Sequence, residues 1–223
     1  MRKRAQSYLF RDRIDAGQRL SARLGALGDA DALVMALPRG GVPVAAEVAR
    51  ALDAELDVMI ARKIGAPMQP ELAIGAVTAD GGLFLDTMMV RELGIEADTV
   101  DALIAAEREN ARQREGQFRG DRAFPGAGGR TVILVDDGLA TGATMSAAVH
   151  AVRKQRPDWL VVAVPVGSRF ACEVIGSEVN EIFCLATPEP FGAVGLFYRD
   201  FLQTEDAEVE RILEDFRGRG RTT

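Results

Sequence analysis

Apolar residues come along this chain in short unbroken runs, and between the runs they recur every three or four positions. Ala32–Leu37 (ALVMAL), Leu56–Ala61 (LDVMIA), the apolar part of TVILVD (Thr131–Asp136) and Trp159–Val166 (WLVVAVPV) have the length of strands buried on both faces. Glu71–Val77 and Gly82–Asp86 are shorter runs around Asp80-Gly81-Gly82 and predict a hairpin; Glu181–Leu185 predicts a last strand. Helical spacing marks Val42–Leu52, Ala143–Gln155, Phe170–Ile175 and the acidic stretch Glu205–Phe216. Asp98 to Phe118 predicts a long charged helix capped by Asp98, and YLFRDRIDAGQRL (Tyr8–Leu20) an N-terminal helix. Buried strands alternating with helices imply an α/β fold, a mainly parallel twisted sheet with helices on both faces.

Ligands of such sheets bind outside the carboxyl ends of the strands. Here those ends carry unusual chemistry: LPRGG (Leu37–Gly41), ARKIGAP (Ala61–Pro67) and DDGLATGAT (Asp136–Thr144). The last is the most informative. Two adjacent carboxylates at a strand tip are costly unless something outside the strand uses them. Gly138 to Ala143 then form a loop of mostly small residues leading into a helix at about Thr144, and exposed amides at a helix start make a phosphate site. Thr141 and Thr144 add hydroxyl donors, and Gly142 lets the backbone approach closely. There is no Gly-Lys-Ser/Thr, so a nucleoside triphosphate loop of the Walker type is excluded. A sugar 5-phosphate suits both halves, with the phosphate in the loop and the ribose 2- and 3-hydroxyls on Asp136 and Asp137.

Composition narrows the classes. A chain of 223 residues suits one α/β domain with an elaboration. A net charge of −6 argues against a general nucleic-acid surface, so an anion site must be built locally. No apolar run approaches the ~20 residues of a membrane span, and MRKRAQSYLF lacks the apolar core of a secretory signal, so a cytoplasmic protein is expected. Cys172 and Cys184 form no CxxC pattern and read as free, buried thiols. With His150 as the single histidine, a zinc site has no support.

VILVDDGLATGAT resembles the phosphoribosyl pyrophosphate signature of type I phosphoribosyltransferases: four apolar residues, two acids, a short linker, then Thr-Gly-x-Thr. FRDRIDAGQRLSARL, LPRGGVPVAAEVA, RKIGAP, PELAIGAV and PEPFGAVGLFYRDF extend the resemblance over nearly the whole chain, to a little-characterised bacterial branch of that family. The resemblance implies one domain, with a core over about residues 30–186 and hood or lid elements over about 1–28, 87–120 and 187–217. It implies 5-phosphate binding by Ala140, Thr141, Gly142, Ala143 and Thr144. Diphosphate binding falls to Arg39, Gly40, Gly41, Arg62 and Lys63, with a non-proline cis peptide expected around Pro38 to Gly40. Asp136, Asp137, Arg39 and Lys63 become the catalytic set. Mg²⁺ is the implied cofactor, met by Asp136 and Asp137 mainly through ribose hydroxyls or water. The implied reaction is displacement of pyrophosphate from phosphoribosyl pyrophosphate by a nitrogen acceptor, a nucleobase by expectation, in a homodimer.

The acceptor is read from elsewhere. Ala140 stands where hypoxanthine-guanine enzymes carry an Asp, and VAVPVGSRF lacks the lysine those enzymes set against the 6-oxo group, which disfavours hypoxanthine and guanine. PEPFGAVGLFYRDF is the candidate acceptor segment: Phe191 to stack on a flat base, the backbone of Gly192, Ala193 and Val194 to read its edge, Phe197 and Tyr198 to close the pocket. Core packing is the competing reading of those aromatics. The charged helix Asp98–Phe118 reads equally as a solvated face or as a lid or dimer arm. Two rival functions stand beside catalysis: a non-catalytic regulator that binds phosphoribosyl pyrophosphate or a nucleotide, and a nucleotide hydrolase or phosphorylase.

Overall fold

The computed structural model describes residues 8–25, 31–120 and 122–219. Five parallel strands form the main sheet: β1 (Leu33–Ala36), β2 (Glu55–Val58), β6 (Thr131–Val135), β7 (Trp159–Val166) and β8 (Glu181–Ala186), in the order β2-β1-β6-β7-β8. The register sets Leu33 beside both Glu55 and Val132, and Val132 beside Leu160. Alternate residues of these strands point to opposite faces, and each face is covered. Val34, Ile133 and Val161 pack under α1 (Arg13–Leu24), α2 (Gly41–Leu52) and α7 (Asp206–Arg219). Leu33, Val132, Leu134 and Val162 pack under α5 (Ala143–Lys154) and α6 (Arg169–Gly176). The expected α/β sheet with helices on both faces is therefore present.

A second sheet departs from expectation. β3 (Ala61–Ala66), β4 (Gln69–Thr78) and β5 (Leu83–Leu85) form an antiparallel sheet of their own. The β4–β5 hairpin was legible; β3 was not, because ARKIGAP lacks an apolar run and reads as the end of the strand before it. Arg62 and Lys63 accordingly lie within β3, opposite Val77 and Ala76, rather than at the tip of the second strand. Close packing at the turn around the hairpin depends on Gly82, where a Cβ would come within 2.3 Å of the Ala147 carbonyl oxygen on α5. A short helix, α3 (Thr87–Glu92), follows, capped by Asp86, whose carboxylate accepts from the Met89 amide. Ile64, Ile74 and Val77 make the buried centre of this unit with Leu103 and Ile104 of the long helix α4 (Ala97–Arg119). The cap of α4 is Glu96, without a side-chain bond to the helix, and not Asp98; Asp98 sits in the first turn, where its charge faces the positive end of the helix dipole.

Segments expected to form a hood meet in an aromatic cluster. Phe10, Ala16, Val166 and Tyr198 form its buried centre, with Phe191, Val194, Phe197 and Phe201 packed against them. Main-chain bonds stitch the N-terminal segment to it, Leu9 and Phe10 amides to the Phe197 carbonyl and Arg199 amide to the Phe10 carbonyl, at 2.9, 3.0 and 2.9 Å. Cys172 and Cys184, expected buried, are free and half-buried beside Gly167, and the Cys184 thiol donates to the Ala186 carbonyl at 3.1 Å. α7, expected over Glu205–Phe216, runs from Asp206 to Arg219. Among the described residues no helix is long and apolar enough to cross a membrane.

Candidate functional site

The parallel strands bring their carboxyl ends to one edge, where three chain segments meet. After β1, Leu37 bonds the Val135 carbonyl of β6 at 2.9 Å, and the chain passes through a cis Pro38–Arg39 peptide into α2. The expected non-proline cis bond is present there. After β6, Asp136 and Asp137 lead into Gly138–Gly142, and Gly142, at φ 85°, caps α5 in the left-handed region that glycine adopts without strain. α5 runs 12 residues, so its amino end presents unpaired amides and the positive end of its dipole to the loop of Thr141 and Thr144. The loop is held from beneath: Leu139 and Ser168 exchange main-chain bonds with β7 and its sequel, and Ser168 Oγ donates to the Ala140 carbonyl at 2.6 Å.

The first loop is packed onto the acid pair with no room for side chains. A Cβ on Gly40 would lie 2.0 Å from Asp137 Oδ2, and one on Gly41 2.8 Å from the Val135 carbonyl oxygen. Gly138 meets the hood in the same way, its Cβ position 2.4 Å from Val194 Cγ1. Hence Gly40 and Gly41 lie against the two acids, and Gly138, which follows the acids, lies against Val194 of the candidate acceptor segment.

Arg13, on α1, completes this cluster. Its Nε and Nη2 both bond Asp137 Oδ2 at 2.8 Å, its Nη1 donates to the Leu202 carbonyl at 2.6 Å, and its guanidinium lies 3.9 Å over the Phe201 ring. No spacing rule links positions 13 and 137. The residue was visible in the sequence only as part of a charged N-terminal helix. Burial raises Asp136 well above the ordinary carboxylate range, and the neighbouring charge of Asp137 adds to it. Burial raises Asp137 too, but Arg13 opposes the rise. Asp136 Oδ1 is occupied in accepting the Asp137 amide at 2.8 Å.

The remaining predicted residues divide between site and scaffold. Arg62 pairs with Glu107 of α4 at 3.0 Å and Lys63 with Glu71 at 3.3 Å. Both bases line a cavity of about 530 Å³ whose wall includes Thr144, so the small sheet faces the amino end of α5. Arg39 turns away from the acids towards the start of α7. Tyr198 is buried, and its hydroxyl donates to the Asp137 carbonyl at 2.6 Å; burial holds it protonated. It braces the acid loop from behind. Phe191 packs tilted against Phe197, ring centres 5.3 Å apart, at the half-buried margin of the hood. Gly192 and Ala193 are exposed beside it.

Among the described residues no three His, Cys, Asp or Glu side chains gather in a metal-binding cluster. The acid pair supplies carboxylate oxygens, the donor type that Mg²⁺ prefers, and Mg²⁺ keeps much of its shell from water and substrate. These residues fit an ion carried mainly by a bound diphosphate.

Residues 11–175 match the sequence profile of the phosphoribosyl transferase domain. A Mycobacterium tuberculosis H37Rv protein named "Putative phosphoribosyl transferase Rv0571c" is 44% identical over 206 residues, 92% of this chain and 46% of that protein. The chain thus spans about half the length of the curated relatives it matches. The crystal structure of TT1426 from Thermus thermophilus is 44% identical, with a TM-score of 0.79 over 93% of this chain and 98% of that one. A Staphylococcus aureus hypoxanthine phosphoribosyltransferase, 11% identical over 87% of this chain and 85% of its own, shares the fold alone at a TM-score of 0.50. Since the profile match takes in the glycine loop, the acid pair and the threonine loop within well over half the chain, this chain belongs to the phosphoribosyltransferase family.

Proposed function

We propose that the protein transfers the 5-phosphoribosyl group from phosphoribosyl pyrophosphate to a nitrogen acceptor, releasing pyrophosphate, with Mg²⁺ as cofactor. The observation that carries this reading is the contact between the glycine loop and the acid pair, next to a threonine loop at a helix start. It provides adjacent places for diphosphate, ribose and 5-phosphate in one substrate. The amino end of α5 with Thr141 and Thr144 takes the 5-phosphate. Asp136 and Asp137 accept from the ribose hydroxyls and hold the sugar so that C1 faces the acceptor. The loop of Arg39, Gly40 and Gly41 belongs to the diphosphate, and Lys63 and Arg62 approach from the small sheet. Positioning and charge neutralisation are what such a displacement needs, because its transition state is cationic at the sugar while negative charge grows on the leaving group. Asp136 and Asp137 would contact Mg²⁺ through hydroxyls or water, and the ion, when bound, supplies further neutralisation of the leaving diphosphate.

The acceptor is a nucleobase in this reading, with Phe191 and the Gly192–Val194 backbone at its edge and Tyr198 shaping the loop beneath. Ala140 offers no acidic group to a purine, so hypoxanthine and guanine are disfavoured. A homodimer is the proposed assembly. The test is pyrophosphate release from phosphoribosyl pyrophosphate with Mg²⁺, across a panel of bases and small amines. Acceptor-dependent release that disappears in Asp136→Asn/Asp137→Asn, with the fold intact by circular dichroism, is the expected result. Full activity in that variant would refute the assignment of the acids. Tight binding of phosphoribosyl pyrophosphate without turnover on any acceptor would favour a regulatory binding protein instead.

A further inference from the structure

The arginine of the diphosphate loop does not point at the place of the diphosphate. Arg39 Nη1 lies 3.5 Å from Asp206 Oδ1, and with the Gln203 amide turned so that its oxygen faces the guanidinium, that oxygen accepts from Nη1 at 3.2 Å and from Nη2. Asp206, the first residue of α7, is itself fixed from α4. Arg114 Nη1 bonds its Oδ2 at 2.7 Å, Arg114 Nη2 bonds Oδ1, and Gln117 Nε2 reaches Oδ2 at 3.3 Å. A strap of residues 201–206 thus touches both Arg39 and Arg13, since Phe201 and Leu202 hold Arg13.

The backbone of the same loop is oriented differently. The Gly41 amide donates to the Leu37 carbonyl and the Val42 amide to the Arg39 carbonyl, both at 3.1 Å. Among the described residues, the amides of Arg39 and Gly40 have no acceptor. They lie at the start of α2, with the helix dipole behind them, and Gly40 leaves no side chain in front of the acid pair.

We infer that Asp206 and Gln203 are positioning residues. They hold the Arg39 side chain outside the site as an anchor, and so set the backbone of residues 38–41, whose amides rather than the guanidinium meet the diphosphate. The inference rests on the reading of this loop as a diphosphate site. It separates two roles that the sequence lumps together in one arginine.

The test compares wild type with Arg39→Met, Asp206→Asn and the double variant by two measurements. Hydrogen exchange of the unliganded protein follows the amides of Gly41 and Val42, the hydrogen-bonded pair of the loop, and calorimetry follows the affinity for pyrophosphate with Mg²⁺. Gln203→Ala, which leaves Arg114 paired with Asp206, serves if loss of Asp206 disturbs folding. An anchor predicts faster exchange in the loop in both single variants and a fall in pyrophosphate affinity of about tenfold in each, with no further fall in the double variant. Unchanged exchange in Asp206→Asn and Gln203→Ala would overturn the inference. So would an affinity lost in Arg39→Met but kept in Asp206→Asn, the signature of direct contact. A wild type that binds no pyrophosphate, with the exchange effect intact, would sink the functional reading and leave the anchor standing.

Discussion

At the scale of single residues the acid pair is the most exacting feature. Accepting from ribose hydroxyls requires carboxylates, which exist above their folded-state pKa and are lost as pH falls through it. Because burial raises both acids above the ordinary 3.8, and Asp136 the further, the acid limb of kcat/KM is expected at clearly higher pH than an exposed carboxylate would give. Arg13 opposes the rise, so Arg13→Met should move that limb to still higher pH; a pH profile of both proteins checks the sign. Lysine is a poor substitute here, since one ammonium cannot reproduce two bonds to Asp137, a third to Leu202 and a stacked ring. Glycines at the site carry equally specific demands. Gly138→Ala drives a methyl into Val194 and should displace the hood, raising the acceptor KM while the affinity for phosphoribosyl pyrophosphate changes less.

Among elements, α4 shows how little charge pattern alone decides. Its alternating Glu and Arg predict an exposed helix laced with weak pairs, and some are so: Arg112 and Glu109 stand 3.6 Å apart and more than half exposed. Glu109→Gln is expected to change stability by less than about 0.5 kcal/mol in urea unfolding. Arg119 belongs to the same pattern and behaves otherwise. It is buried against Asp57 at 3.0 Å, bonds the Val58 carbonyl at 2.9 Å, and ties the end of α4 to β2. Glu115 still pairs with Arg119 at 2.7 Å when Asp57 is removed, so Asp57→Ala should cost about 1.5–3 kcal/mol in the same experiment, the loss of charged hydrogen bonds inside. Nothing in the spacing of the Arg residues distinguishes 112 from 119. The neighbour that decides it, Asp57, is 62 positions away.

Across the whole molecule, the proposed substrate pocket is assembled from segments far apart in sequence: α1, the loops after β1 and β6, the small sheet and the strap before α7. A ligand that touches all of them binds the folded chain alone. Phosphoribosyl pyrophosphate at a hundred times its Kd should therefore stabilise the protein by about 2.7 kcal/mol, a rise in Tm of several degrees in a thermal melt. Asp136→Asn/Asp137→Asn should lose that rise while melting near the wild-type temperature without ligand.

The strands of the main sheet and their helices were legible because each is decided locally. A run such as VILV in the middle of a chain is too apolar for anything but a strand covered on both sides, and Thr-Gly-Ala-Thr after two acids needs only its own backbone to make an anion loop. The resemblance to phosphoribosyltransferases was legible for the same reason, and the profile match bears out that family. What only the tertiary structure decided is where long side chains go. Arg62 and Lys63 became part of a strand because β4 was there to pair with them, Tyr198 became a brace because the Asp137 carbonyl lay within reach, and Arg39 was turned outward by Asp206. Backbone preference acts over a few residues, whereas the partner of a charged or aromatic side chain is set by the packing of elements that the sequence keeps far apart.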